Sequence, residues 1–381
     1  MYNVAECASY PEFQALRGEW DALVAGSDTA SVFADWAWTA ATWAGAVPGK
    51  RPLVLTVRDA ASKEAGTLVG VLPLARAPHF RVLTTLEVMG CGPGGYPLAD
   101  YWGLATARGA EGAVWDALLA YLGRRPGWSM IDLRNCMPGP LSEAHYRQAA
   151  AARGWTARVE SGELCRRLTL APTFDAYLAG LSANSRQQIR RKLRKLHDDG
   201  LTISPVDVHD AAARNAAMNL LFDYHQARWA GDPSGGGFPD ERRRAMHRKL
   251  AAWLAERDKL DLRLVRAADG TCGGVIYNFR QGEVTYYYQL GLNPDPRFVP
   301  YSLGVCLLAD TIAAAIAAGQ HSVDLLRGDH EYKRHFGGQL RANLRVTMYR
   351  RRWLPVVEEA ARGLHHRVRL ARARTSRQAA A

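Results

Sequence analysis

The chain has 381 residues, 48% of them hydrophobic and 23% charged, which suits one or two packed domains and excludes a disordered polypeptide. Its net charge of +12 is concentrated in two segments: six basic residues between Arg186 and Lys195, and nine arginines between Arg350 and Arg377 opposed only by Glu358 and Glu359. The rest is close to neutral, and the preference for arginine over lysine is one that GC-rich coding also produces, so charge alone does not indicate a DNA-binding body.

Six cysteines (Cys7, Cys91, Cys136, Cys165, Cys272 and Cys306) are scattered, with no C-x-x-C and no histidine cluster at ligand spacing. Free thiols in a reducing compartment are expected, with neither a disulfide framework nor a metal. The N-terminus lacks the charged start and apolar core of a signal peptide. The most apolar run, 303–319, contains Asp310 and is too short to cross a bilayer. A cytoplasmic protein without a membrane span is the expectation.

In chain order, residues 51–80 read as two strands joined by a polar turn. "LTTLEVMG", a Gly/Pro-rich loop at 90–97 and "ADYWGLAT" follow, then a helix over about 111–122 and a strand at "SMIDLRN". Three helical patterns come next, at 173–196, 212–230 and 241–259. The loop "GDPSGGGFPD" between the second and third reads equally as a lid over a substrate site or as a surface connector. Residues 259–293 give three strands with turns at Asp269-Gly270 and Gln281-Gly282. A helix over about 303–318 and the strand "HSVDLLRG" complete the order. A meander, a helix and a further strand thus occur twice, with "IDLRN" and "VDLLRG" in equivalent places. This predicts two similar mixed α/β domains in tandem, 1–165 and 166–349, before an Arg-rich tail, 350–381, expected to fray.

Within "NSRQQIRRKLRKL", Ile189, Leu193 and Leu196 make one apolar stripe, so this basic segment is a docked helix with Asn184 or Ser185 as its N-cap. Its other faces are solvated or meet an anion; no DNA-recognition motif accompanies them. The densest chemical cluster is "VDLLRGDHEYKRHFGG". Here an apolar strand delivers Asp324, then Asp329, His330, Glu331, Tyr332, Lys333 and His335, at a strand end where α/β proteins place chemistry.

"YYYQLGLNPD", the helix start at Ser302 to Gly304, "VDLLRGDHEYKRHFG" and "RQQIRRKLRKL" together resemble duplicated proteins of the GNAT superfamily. The likeness is to the group that includes the CelD/BcsL-like and BioF2-like acetyltransferases, relatives of the Fem peptidyltransferases. It spans residues 10 to 345 and is densest over 274–338. It implies two tandem GNAT-like domains and an N-acyltransferase that moves an acyl group from acyl-CoA to a small-molecule, sugar or peptide amine. The aromatic-Lys pair before Phe-Gly implies that Lys333 stabilises charge on the attacked carbonyl while Tyr332 shapes the wall. A cation at a developing oxyanion is worth a few kcal/mol.

The same resemblance implies a thioester lying along Tyr288, Gln289 and Leu290, and a pyrophosphate at the helix start formed by Ser302, Gly304 and Val305. Arg186 of the basic helix would stand near phosphates. Candidates for the general base are Asp324, Asp329, His330, Glu331 and His335. Asp324 also reads as structural, because Asp132 is its counterpart in the first half. Tyr286 and Tyr288 could line an acyl or acceptor pocket, although β-core packing accounts for them equally; His225 and Arg228 would contact the acceptor from a helix face that relatives also use, where Trp229 reads as core. The chain departs from the Q/R-x-x-G-x-G/A phosphate loop, with "FVPYSLG" in its place. That keeps open a Fem-like aminoacyl-tRNA-dependent transferase, with the basic segments on tRNA, and a non-catalytic adaptor. The absence of a heptad-bearing hairpin favours acyl-CoA.

Overall fold

The computed structural model describes residues 2–45, 49–61, 66–79, 83–91, 99–137, 139, 141–231 and 236–360. The first half contains β1 (Tyr2–Cys7), α1 (Tyr10–Ala15), α2 (Arg17–Ala25), α3 (Trp36–Ala44), β2 (Arg51–Asp59), β3 (Thr67–His79) and β4 (Leu83–Val88). It continues with β5 (Ala105–Thr106), α4 (Glu111–Arg124), β6 (Met130–Cys136), α5 (Glu143–Ala151) and β7 (Thr156–Thr169). The second half contains α6 (Phe174–Ala179), α7 (Ala183–Asp198), β8 (Thr202–Pro205), α8 (Ala211–Arg228), α9 (Glu241–Ala255), β9 (Leu260–Arg266) and β10 (Cys272–Gln281). After these come β11 (Val284–Leu292), α10 (Leu303–Ala317), β12 (Ser322–Arg327), α11 (Glu331–Arg334) and β13 (Gln339–Tyr349).

One mixed sheet runs through the molecule in the order β1-β2-β3-β4-β6-β13-β7-β12-β11-β10-β9-β8, with β5 on β3. Each half contributes an antiparallel meander whose last strand pairs in parallel with the strand after a helix: β4 with β6, and β11 with β12. "IDLRN" and "VDLLRG" occupy those two parallel strands. Parallel neighbours need a crossover, and α4 and α10 supply it.

The centre of the sheet is exchanged between the halves. β13, the last strand in sequence, lies between β6 and β7, while β7 pairs with β12. The expected boundary at 165/166 therefore falls inside β7.

The largest core cluster also spans both halves. Phe33, just before α3, and Trp38, within it, meet Phe279 and Tyr288 at centroid distances of 5.7 to 6.4 Å: Phe33 lies 6.0 Å from Tyr288, and Trp38 lies 5.7 Å from Phe279 and from Tyr288. A second cluster joins Ile189 and Leu196 of α7 to Leu307, Leu308 and Ile312 of α10, so the basic helix is docked by the stripe its sequence shows. Its cap is Ser182, whose hydroxyl accepts from the Ser185 amide at 3.2 Å, in place of the expected Asn184 or Ser185.

The tail is folded at its start. Residues 354–360 are helical, Leu354 is buried with Met130 and Tyr349, and the Arg350 amide donates to the Ser129 carbonyl at 3.0 Å. Fraying over 350–360 is thus corrected by packing against β6 and β13; the remainder lies outside the described residues. The same holds for residues 232–235 of the Gly/Pro/Asp loop. Among the described residues, no helix is long and apolar enough to cross a membrane.

Candidate active site

The site is opened by two strands that stop pairing. β11 and β12 are in register only from Val284↔Ser322 to Tyr286↔Asp324. Beyond that point β11 carries one extra residue, Tyr288, between the pairs Asn278↔Tyr287 and Tyr277↔Gln289. β12 turns away through Leu326, whose φ is +58°. A β-bulge increases local twist and leaves backbone groups unpaired, so the edge of β11 at Tyr288 to Leu290 faces the gap. A left-handed leucine costs about 1–2 kcal/mol and persists where the surroundings impose it.

A cavity of about 270 Å³ fills the gap, lined by Tyr287, Tyr288, Gln289, Leu290, Leu325 to Arg327 and, across from them, His225, Arg228, His330, Tyr332 and Lys333. A second cavity, about 420 Å³, lies at the start of α10. Its lining includes Lys192, Arg228, Leu290, Ser302, Gly304, Val305 and Tyr332. Arg228, Leu290 and Tyr332 belong to both, so the two form one bent groove.

At the α10 end, Ser302 has φ +50° and makes no side-chain cap; the Val305 amide donates to the Ser302 carbonyl at 2.8 Å, and the Leu303 and Gly304 amides before it have no acceptor within the helix. With Lys192 and Arg228 beside them and no carboxylate in the lining, these amides form an anion-seeking end.

Lys333 forms the floor of the other end. Its ammonium is buried and donates to the carbonyls of Leu325 at 2.7 Å and Arg327 at 3.0 Å, both on the bent part of β12. An ammonium has three N–H donors, so one remains for a group in the cavity. Burial holds its pKa below the usual lysine value, against the pull of Asp100. Tyr332 stacks on His330 with ring planes 9° apart. Burial, then Lys333 and Arg228, keep His330 below the ordinary histidine value. His225 is buried on α8, and desolvation carries it down to about 4, so it is neutral at pH 7. Its ring is held edge-on to Phe238 at 5.0 Å, and Gly237 leaves room beside it that a Cβ would narrow to 3.3 Å.

The first half adds one wall. Asp100 lines the cavity between β11 and β12 and pairs with Arg327, and the neighbouring Tyr101 hydroxyl donates to both Asp324 oxygens at 2.8 and 3.0 Å. The same segment closes the first half's own gap. The Asn135 amide group donates to Ala99, Trp102 donates to Asn135, and Met137 donates to Trp102, so Ala99 to Trp102 lies along β6 where the second half has its cavity. Glu111, buried in the first turn of α4, accepts from the Gly109 amide and puts an anion at that helix start. Of the two equivalent positions, the one in the second half is open.

The predicted residues divide accordingly. Lys333, Tyr332, Tyr288, Gln289, Leu290, His225 and Arg228 line the cavity between β11 and β12, and Ser302, Gly304 and Val305 line the cavity at the start of α10. Asp324, Asp329, His335, Tyr286 and Arg186 line neither. Asp324 is buried, bonded to Tyr101 and to the Leu326 amide at 2.8 Å, and burial raises it to about 6. Asp329 is held below the carboxylate range by Arg166 at 2.8 Å and Arg334 at 3.0 Å. His335 ends α11 half-buried, and Tyr286 packs on Phe33 at 6.0 Å. Arg186 donates to the Ala179 carbonyl at 3.2 Å; from its helix it is Lys192 that reaches the groove. Lys192, Asp100, Tyr287 and Arg327 were not singled out from sequence. The helical offset of Lys192 from Ile189 and Leu196 was a usable signal, whereas nothing local marks Asp100.

A splayed pair of parallel strands, a bulge on one of them and a helix start beside them make up the candidate site. Residues 183–334 match the family described as acetyltransferase (GNAT) domain. Similar solved structures include FemX (TM-score 0.62, 12% identity, covering 87% of this chain and 95% of that one). L-PGS from Bacillus licheniformis is also similar (0.56, 10%, 92% and 96%), as is a conserved protein of unknown function from Bacteroides thetaiotaomicron (0.54, 9%, 88% and 97%). A search of curated proteins returns no match.

Proposed function

We propose that the chain is an N-acyltransferase of the duplicated CelD- and BioF2-like type, with acyl-CoA as donor and an amine on a small molecule, sugar or peptide as acceptor. One observation carries this reading: the two cavities join at Arg228, Leu290 and Tyr332, so an anionic donor head at α10 has its acyl end beside Lys333. The thioester carbonyl would lie along the bulged edge of β11. The free N–H of Lys333 and the backbone amides there would stabilise the oxyanion as the amine attacks. The C–S bond then breaks, the electron pair leaves on the thiolate, and the amine loses its proton. Among the ionisable groups that line the cavity, His330 and His225 are neutral at pH 7 and fit the proton-accepting role better than Asp324 or Asp329, which lie outside it. We divide the chain functionally into a supporting part, 1–165, and a catalytic part, 166–349.

The test is a panel of CoA thioesters of increasing acyl length. Each that binds should raise the melting temperature, by linkage, and release thiol when a suitable amine is present. No stabilisation by any member would overturn acyl-CoA as donor.

The second reading, transfer from aminoacyl-tRNA, draws on the glycine-poor start of α10 and on Arg191 and Arg194, exposed along α7. Replacing Arg190, Arg191 and Arg194 with Gln would then weaken tRNA binding and flatten its salt dependence. Unaltered binding would remove that reading.

A further inference from the structure

Large apolar side chains are rarely left in water together. Six are exposed among the described residues, and three of them, Trp353, Val356 and Val357, fall within five positions at the start of the C-terminal helix. Their exposures are 54%, 71% and 42%, whereas Leu354 and Glu358, on the opposite side of the same turns, are 3% and 2% exposed. Helical geometry therefore sorts this segment into an inner face held on β6 and β13 and an outer face that is apolar.

Arginines outnumber acids around that face. Arg351 and Arg352 are exposed beside Trp353. Of the two acids, Glu358 is buried against the Tyr349 hydroxyl, and Glu359 faces Arg158 at 3.5 Å. In sequence six more arginines follow, at 362, 367, 369, 372, 374 and 377, and no further acid.

We propose that residues 351–360 form a docking surface for an anionic lipid bilayer. Apolar side chains on the outer face and arginines beside them match a surface that offers hydrocarbon below and negative head groups above. Tryptophan favours that boundary, and arginine stems can lie on apolar surface while their heads stay in water. A second copy of the chain fits worse, because a two-fold contact would set this cationic patch against itself. Nucleic acid fits the arginines but gives the two valines nothing to bury against. The inference does not rest on the proposed activity.

The full chain should co-sediment with vesicles containing about one-third phosphatidylglycerol in phosphatidylcholine, far less with phosphatidylcholine alone, and less at raised salt. The triple change Trp353→Ser, Val356→Ser, Val357→Ser should weaken that binding about tenfold while the melting temperature stays put. Retention on phosphatidylcholine equal to that on the mixed vesicles would overturn the proposal, and so would no retention on either. Unaltered affinity in the triple variant would leave only a charge effect and also overturn it. Two further results would assign the surface elsewhere: tighter binding to tRNA that ignores the triple change, or a concentration-dependent dimer that the change abolishes.

Discussion

Lys333 and Asp324 lie nine residues apart and show what a sequence conveys about single residues. Lys333 was legible because an aromatic-Lys-x-x-Phe-Gly run after a strand is compact, and all its parts fall in one turn of chain. Its ammonium is fixed on two strand carbonyls, so Lys333→Ala should remove both an oxyanion partner and a brace on the bend of β12. We expect kcat to fall by about 10²-fold or more, with the far-UV spectrum close to wild type and a lower melting temperature from the two carbonyls left without their donor. Unchanged turnover would remove Lys333 from the reaction. Because burial lowers its pKa, the alkaline limb of activity should begin below the ordinary lysine range.

Asp324 reads in sequence either as a candidate base or as structural, and its partners are Tyr101, set by a segment more than 200 positions away, and a backbone amide. Its folded pKa is raised to about 6 from 3.8 by burial. Its contribution is therefore fully present below about pH 4 and is lost as pH rises through 6, a change on the order of 3 kcal/mol. Asp324→Asn should flatten that part of the stability curve and leave the protein at least as stable at pH 7. A large loss of stability at pH 7 would show that the carboxylate is needed as an anion.

Among elements, the most legible were those whose pattern is local. The second meander, α10 and β12 fall within a residue or two of their expected places, since alternation, turn glycines and a continuous apolar helix need no distant partner. β7 and β13 were not legible: "TARVESGELCRRLT" has charges on both faces and becomes a strand by pairing on both edges. The basic helix is an intermediate case. Its stripe predicted docking, but which cation meets the groove depends on its crossing over α10. Arg190 pairs with Asp175 at 2.9 Å and Lys195 with Asp199 at 2.9 Å, while Lys192 lines the anion end. Lys192→Gln should raise the dissociation constant for a CoA thioester about tenfold, the size of one charge-assisted contact, and Arg190→Gln should leave it unchanged. Equal effects from the two changes, read by calorimetry, would mean that α7 acts only through its overall charge.

For the whole molecule, the exchanged strands decide how stability is distributed. β13 completes the first half by pairing with β6, and β7 completes the second by pairing with β12. Asp100 and Tyr101 tie the same two bodies across the active site, and Phe33 and Trp38 share an aromatic core with Phe279 and Tyr288. A cut at the apparent repeat boundary would therefore leave each piece with a strand whose partner is on the other piece. Unpaired edges and a bisected core are costly in any small domain. Residues 1–170 and 171–360 made separately should lack cooperative unfolding transitions, and together in one cell they should yield a complex that melts once. The intact chain should likewise give one urea transition with coincident fluorescence and circular dichroism midpoints. Two separated midpoints, or a stable 171–360 fragment that still binds CoA thioesters, would show that the second half carries its own core. The Tyr101–Asp324 and Asp100–Arg327 contacts would then be accessory to a site complete without them.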